Sequence, residues 1–230
     1  STFAEYTVMS EYSLAKVNPE APPDHTCLFA CGLSTGLGAA MYTAGVQEGT
    51  TCVVFGAGMV GLGAVAGCRL QGAERIVCVD LSDDRFELAK GQGATDVLKG
   101  GEDVVEQVLE MTDGFGADYT FEATGNVGVM AQAVEAARMG WGLCTVAGVA
   151  GKGETLDIVP RFLITGRRVA GSSFGGVKGR DQVPGLIDRY MAGDIDVEPF
   201  ISHGLTLDEV NKGFDLMEAQ DGIRSVIRYD

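Results

Sequence analysis

The chain predicts an α/β fold: a parallel, doubly wound sheet with helices on both faces. Three observations carry this. Short apolar runs alternate with helical segments all the way from Thr51 to Gly171, the pattern of strands joined by crossover helices. The run Cys52–Phe55 leads directly into Gly56, Gly58 and Gly61 at G-x-G-x-x-G spacing, followed by a small-residue helical segment from Met59 to about Gln71. A second apolar run, Ile76 to Val79, then closes on an acid, Asp80.

Each of these parts has a physical task in a dinucleotide-binding (Rossmann) unit. Gly56 makes the tight bend, Gly58 lets the backbone approach a pyrophosphate, and Gly61 lets the helix pack close to its strand. The helix N-terminus, opened by Met59 and Val60, offers N–H groups and a positive dipole end to the phosphates. Asp80, about 20 residues beyond the glycines, stands where ribose hydroxyls are accepted. Its charge favours NAD, because a 2′-phosphate would be repelled there. A bare glycine motif in a chain with 34 glycines would carry little. Here the strand, the helix and the terminal acid all occupy their required places.

Taken in order, the chain opens with alternation over Ser1–Val8 that predicts a strand. Tyr12 and Lys16 stand at the spacing of a catalytic Y-x-x-x-K pair, but Pro19, Pro22 and Pro23 rule out the long helix such a pair needs. His25, Cys27 and Cys31 are of metal-ligand type, but a helical Cys27–Cys31 pair, sharing a face at i, i+4, finds no third and fourth ligand locally. A helix is expected from the Cys31–Gly36 segment through Thr43. Beyond Asp80, helices are predicted over 83–92, capped by Ser82, and over 103–111, where Val104, Val105, Val108 and Leu109 share a face. Strands are predicted over 118–122 and 142–149, with a helix from Val127 to about Ala137 between them. A further strand over 168–172 precedes a turn over 174–178. Helices over 181–191 and 207–217, the latter capped by Thr206, and a strand over 223–227 complete the chain.

The bulk properties narrow the function. With 46% apolar and 21% charged residues, the 230-residue chain reads as an ordinary globular enzyme. A net charge of −15 argues against nucleic acid and anionic membrane as partners. No apolar run approaches a membrane span, and no cleavable leader is expected from the opening residues. The six cysteines lie mostly inside apolar segments, as buried thiols do. That points to a reduced, cytoplasmic setting.

The order of motifs resembles the zinc-dependent medium-chain alcohol dehydrogenases along essentially the whole chain. It is most similar to their class III, glutathione-dependent formaldehyde dehydrogenases. The resemblance rests on Ser1–Val8, Cys31-Gly-Leu-Ser-Thr-Gly36, Gly140-Trp-Gly142, Phe174-Gly-Gly176, the run Leu205–Leu216, and Arg224. It implies NAD and zinc as cofactors and a small-molecule alcohol as substrate, either S-(hydroxymethyl)glutathione or a longer primary alcohol. Cys31 falls on a ligand of the catalytic zinc. Thr35 and Val60 fall against the nicotinamide ring, Ala147, Ser172 and Phe174 fall where backbone groups meet its carboxamide, and Val149 is a further cofactor-binding position. Arg85 lies near the adenosine ribose beside Asp80, and Arg224 on the pyrophosphate.

The resemblance further implies that the family's N-terminal portion, with two zinc ligands and most of the substrate pocket, is absent. The expected organisation is then three parts. Residues 1–32 are a remnant of a largely β, GroES-like zinc and substrate domain, 33–173 the dinucleotide-binding domain, and 174–230 a second remnant. Met139 stands where class III relatives carry a basic residue near glutathione's carboxylate, with Arg138 one place earlier. The edge formed by 161–172 is expected to pair across a twofold axis, giving a homodimer. Two alternatives stay open: a non-catalytic NAD-binding module, and a zinc-independent medium-chain quinone reductase.

Overall fold

The computed structural model describes residues 3–229. They form two compact units: Gly32–Val177, and the described residues of Ser1–Cys31 together with Lys178–Asp230.

Ahead of the larger unit, the chain runs through helix α1 (Pro23–Thr26). A 3-10 turn, Cys27–Ala30, follows and ends at Cys31, whose backbone (φ −149°, ψ −83°) is not helical. Cys27 and Cys31 therefore do not share one α-helical face. The predicted opening strand does not form among residues 3–8, and residues 1 and 2 lie outside the described residues. Tyr6 and Val8 are exposed, and alternation without a neighbouring strand has nothing to pair with. Phe3 instead meets Phe214 edge-on, with ring centroids 5.9 Å apart.

The larger unit opens with α2 (Gly32–Gly38), which passes into a π-helical stretch, Ala39–Ala44, ended by left-handed Gly45. Then come β1 (Thr51–Phe55), α3 (Met59–Leu70), β2 (Arg75–Asp80), α4 (Phe86–Gln92) and β3 (Asp96–Lys99). The second half contains α5 (Val104–Met111), β4 (Tyr119–Glu122), α6 (Val127–Ala136), β5 (Leu143–Val146), α7 (Pro160–Ile164) and β6 (Arg168–Gly171). The six strands are parallel, in the order β3-β2-β1-β4-β5-β6. The order reverses between β1 and β4, which places a crevice at the carboxyl ends of those strands.

Both faces of the sheet are covered. Val53, Phe55, Val77 and Val79 pack with Val104, Val108, Ala133 and Val134 on one side. Alternating Cys52, Val54 and Cys78 are equally buried. Burial on both faces explains why β1 and β2 read as unbroken apolar runs.

The structure corrects several expectations. The strand predicted over 142–149 ends at Val146, because the Ala147 and Gly148 amides turn to the Glu122 carbonyl. Ser82 does not cap its helix; its hydroxyl donates to Asp84 instead. The helix from Cys31 to Thr43 changes to π geometry after Gly38. The turn over 174–178 is a short 3-10 segment, Ser173–Gly176, in which Phe174 takes a left-handed conformation. Strand β3, helix α7 and the strand Ile201–Leu205 of the smaller unit had no strong sequence signal. β3 is a half-buried edge strand, and α7 is only five residues long.

In the smaller unit, α8 (Gly179–Met191), β7 (Ile201–Leu205), α9 (Val210–Glu218) and β8 (Arg224–Ile227) follow, and β7 and β8 pair in parallel. Thr206 and Glu209 form a reciprocal capping box ahead of α9.

Candidate functional site: the cleft at the carboxyl ends of the strands

The glycine turn begins where β1 ends. The Gly56 amide donates to the Val79 carbonyl at 2.7 Å, tying the turn to β2. Gly56 is left-handed (φ +98°), which a side chain would strain. A Cβ on Gly61 would lie 1.7 Å from the Gly56 carbonyl oxygen, so α3 can seat on its strand only with glycine there. Gly58 is the reverse case: a Cβ there would meet nothing within 4 Å. The backbone at the head of α3 thus faces open space into which a phosphate can come close.

Asp80 closes β2 and braces this turn. One carboxylate oxygen accepts from the Ala57 amide at 2.6 Å, the other from the Ser82 amide at 2.8 Å. The Arg85 guanidinium reaches the Ala57 carbonyl at 3.4 Å. The turn and the acid of the glycine motif, and the arginine that the family resemblance adds, are therefore one connected group.

Toward the other side of the crevice, the turns after β4 and β5 touch. A Cβ on left-handed Gly125 would lie 2.4 Å from the Val149 carbonyl oxygen. Val149 is itself exposed, and Ala147 is held by its amide on Glu122. After β6, the Ser172 amide continues the ladder to Val146 at 2.8 Å, and its hydroxyl bonds the Thr43 hydroxyl at 2.8 Å. The π stretch carries Thr43 to this contact, and such stretches are frequent at functional sites. Left-handed Gly175 sits so close to α2 that a Cβ would be 2.6 Å from the Thr35 carbonyl oxygen. Thr35, Phe174 and Ser172 are thereby gathered at one end of the sheet with the glycine turn.

Cys31 and Arg224 belong to the smaller unit. Cys31 is exposed. Arg224 is exposed and donates to the Ile223 carbonyl at 2.7 Å. His25, the other metal-ligand type near Cys31 in sequence, has both ring nitrogens engaged, with Tyr190 Oη at 2.6 Å and Glu198 Oε2 at 2.8 Å. The Cys27 thiol donates to the Asp24 carbonyl, and burial, reinforced by Asp24, raises its pKa. Among the described residues no three His, Cys, Asp or Glu side chains gather to hold a metal. A catalytic zinc needs three protein ligands and an open position, so these residues alone do not fit one.

Sequence reasoning missed Glu122, Thr124 and Thr43. Glu122 could have been found: it is an acid ending an apolar strand, as Asp80 is.

Strand order and glycine turn together define a dinucleotide-binding domain of the doubly wound class. A family model, zinc-binding dehydrogenase, matches residues 59–192, more than half of the chain. The chain belongs to that family. It is 51% identical over 99% of its length to the class-3 alcohol dehydrogenase of Myxine glutinosa, of which it covers 61%. It is 49% identical over its whole length to S-(hydroxymethyl)glutathione dehydrogenase of Escherichia coli, covering 63% of that protein. The chain thus spans about three-fifths of the length of these relatives. Among solved structures, benzyl alcohol dehydrogenase from Acinetobacter calcoaceticus superposes with a TM-score of 0.89 at 28% identity, over 94% of this chain and 59% of that one. No single helix among the described residues is long and apolar enough to cross a membrane.

Proposed function

We propose that this chain is the cofactor-binding part of an NAD-dependent dehydrogenase acting on S-(hydroxymethyl)glutathione or a primary alcohol. We propose further that these 230 residues by themselves hold nucleotide without turning over alcohol. The observation that carries the reading is Asp80, a carboxylate bonded to the glycine turn and positioned at the end of β2.

In this reading the open backbone at Gly58, Met59 and Val60 receives the pyrophosphate, and the remaining acceptor capacity of Asp80 takes the adenosine ribose. Arg85 flanks that ribose. Thr35, Val60, Ala147, Val149, Ser172 and Phe174 surround the nicotinamide. Arg224 on the pyrophosphate completes the proposed set; Cys31 would serve a zinc only together with ligands that these residues do not supply. NAD, when bound, supplies the acceptor for a hydride from the alcohol carbon. The protein's share is to fix the ring's position and keep water away from it. We place the protein in the cytoplasm, because all six cysteines are thiols and four are buried.

Calorimetric titration with NAD and NADP tests the cofactor reading, and tighter binding of NADP would refute it. Metal analysis of dialysed protein, with an NADH-formation assay on S-(hydroxymethyl)glutathione and octanol, tests the second part. Stoichiometric zinc together with turnover would overturn it. Nucleotide binding with neither supports it.

A further inference from the structure

We propose that Glu122 is the positioning residue for the nicotinamide half of the cofactor, an inference that rests on the nucleotide-binding function proposed above. Glu122 is the last residue of β4 and is fully buried. One carboxylate oxygen, Oε1, accepts three hydrogen bonds: from the Thr124 amide at 2.6 Å, the Thr124 hydroxyl at 2.5 Å and the Gly125 amide at 2.9 Å. Its backbone carbonyl accepts from the Ala147 and Gly148 amides, both at 2.9 Å. A single residue therefore clamps the turn after β4 with its side chain and the turn after β5 with its main chain.

The second carboxylate oxygen, Oε2, is buried and has no hydrogen-bond partner. It lies against Gly148, where a Cβ would come within 2.4 Å of it and 2.3 Å of the Gly125 nitrogen. Burying a carboxylate with an idle oxygen is costly. An apolar residue would fill the end of an internal strand at no such cost. The acid is explained by what Oε1 does, which is to hold two amides and a hydroxyl in one tight turn.

Asp80 provides the parallel. It ends β2 and braces the glycine turn through the Ala57 and Ser82 amides. A doubly wound sheet has two halves, each taking one mononucleotide at its strands' carboxyl ends. Asp80 and the glycine turn mark the adenosine half, on the β1–β2–β3 side. The turns that Glu122 clamps sit on the β4–β5–β6 side, where the second nucleoside must lie.

The experiment compares NAD with ADP-ribose, which shares every part of the cofactor except the nicotinamide. Titrations are run on the unmutated protein and on E122A and E122Q, with thermal melts to confirm folding. E122A is expected to weaken NAD about tenfold more than ADP-ribose, the scale of one lost charge-assisted hydrogen bond. E122Q, which keeps an oxygen for the three donors, restores NAD to within about threefold of the unmutated protein. Equal losses for both ligands in E122A, or no rescue by E122Q, would overturn the inference. Should E122A fail to fold, T124V removes one of the three donors and carries the test: a nicotinamide-selective loss supports the clamp, and a non-selective one refutes it. If the unmutated protein binds both ligands equally, the inference falls while the cofactor reading stands. If it binds neither, the cofactor reading itself fails.

Discussion

At the scale of single residues, Asp80 has two roles that a mutation separates poorly. It supports the glycine turn through two amides and, in the proposed function, repels a 2′-phosphate. D80A is therefore expected to weaken NAD about tenfold through the loosened turn and to narrow the preference over NADP. Paired titrations of both cofactors measure this, and an unchanged NAD:NADP ratio would remove Asp80 from specificity. The cysteines give a second residue-scale test. Burial pushes the Cys78 thiol up to about 12, with the Asp80 charge adding to it, and the Cys144 thiol up to about 11. Burial also raises Cys68 well above the ordinary thiol value. Only thiolate reacts with an alkylating agent. At pH 8 iodoacetamide should modify Cys27 and Cys31 and leave Cys52, Cys68, Cys78 and Cys144 intact. Cys27, whose pKa is raised, should react faster as the pH climbs toward 9. Peptide mass spectrometry reads the result, and early labelling of Cys78 or Cys144 would contradict the packed sheet.

At the scale of elements, α2 and α3 approach each other through glycine. A Cβ on Gly36 would stand 2.1 Å from the Val60 carbonyl oxygen, and one on Gly67 2.8 Å from the Ala40 Cβ. The first obstacle is main chain, which cannot swing aside as a side chain can. G36A should cost about 1–3 kcal/mol, the usual penalty of overpacking. It should also weaken nucleotide binding, because the displaced Val60 lies in the first turn of α3. Chemical denaturation with a parallel NAD titration checks both effects. The same seam explains why α2 carries no polar face: every residue from Gly32 to Ala40 is buried. Periodicity does not reveal a helix enclosed on all sides.

At the scale of the whole molecule, β6 ends the sheet with one side unpaired among the described residues. Next to it Val159, Leu163, Ile164 and Val169 are exposed, Ile164 at 86%. An open, apolar edge invites strand pairing with a second copy, and an isologous contact there closes as a dimer. A homodimer is expected by light scattering at tens of micromolar, and the double variant I164D/V169K should be monomeric. A monomeric unmutated protein would refute this assembly.

Much of the larger unit was legible from the residues because its signals are local. The G-x-G-x-x-G turn, the buried apolar runs and the closing Asp80 each act over a few neighbours. Backbone geometry therefore imposes residue types at set spacings, and the parallel sheet follows from the repeated crossovers. The tertiary structure decided what depends on residues far apart. It ended β5 at Val146 by drawing the next two amides to Glu122, widened the helix after Gly38, and brought Thr43 to Ser172 across 129 positions. It left residues 3–8 without a strand, since alternation predicts a strand only where a partner edge exists. It also showed what Glu122 holds: an acid closing a strand is legible in the residues, but the three hydrogen bonds that bind the following turn to one of its oxygens are not. Sequence alone determines local conformation and the pattern of burial; which distant groups meet, as the Ala147 and Gly148 amides meet the Glu122 carbonyl, is determined only when the strands have been brought side by side.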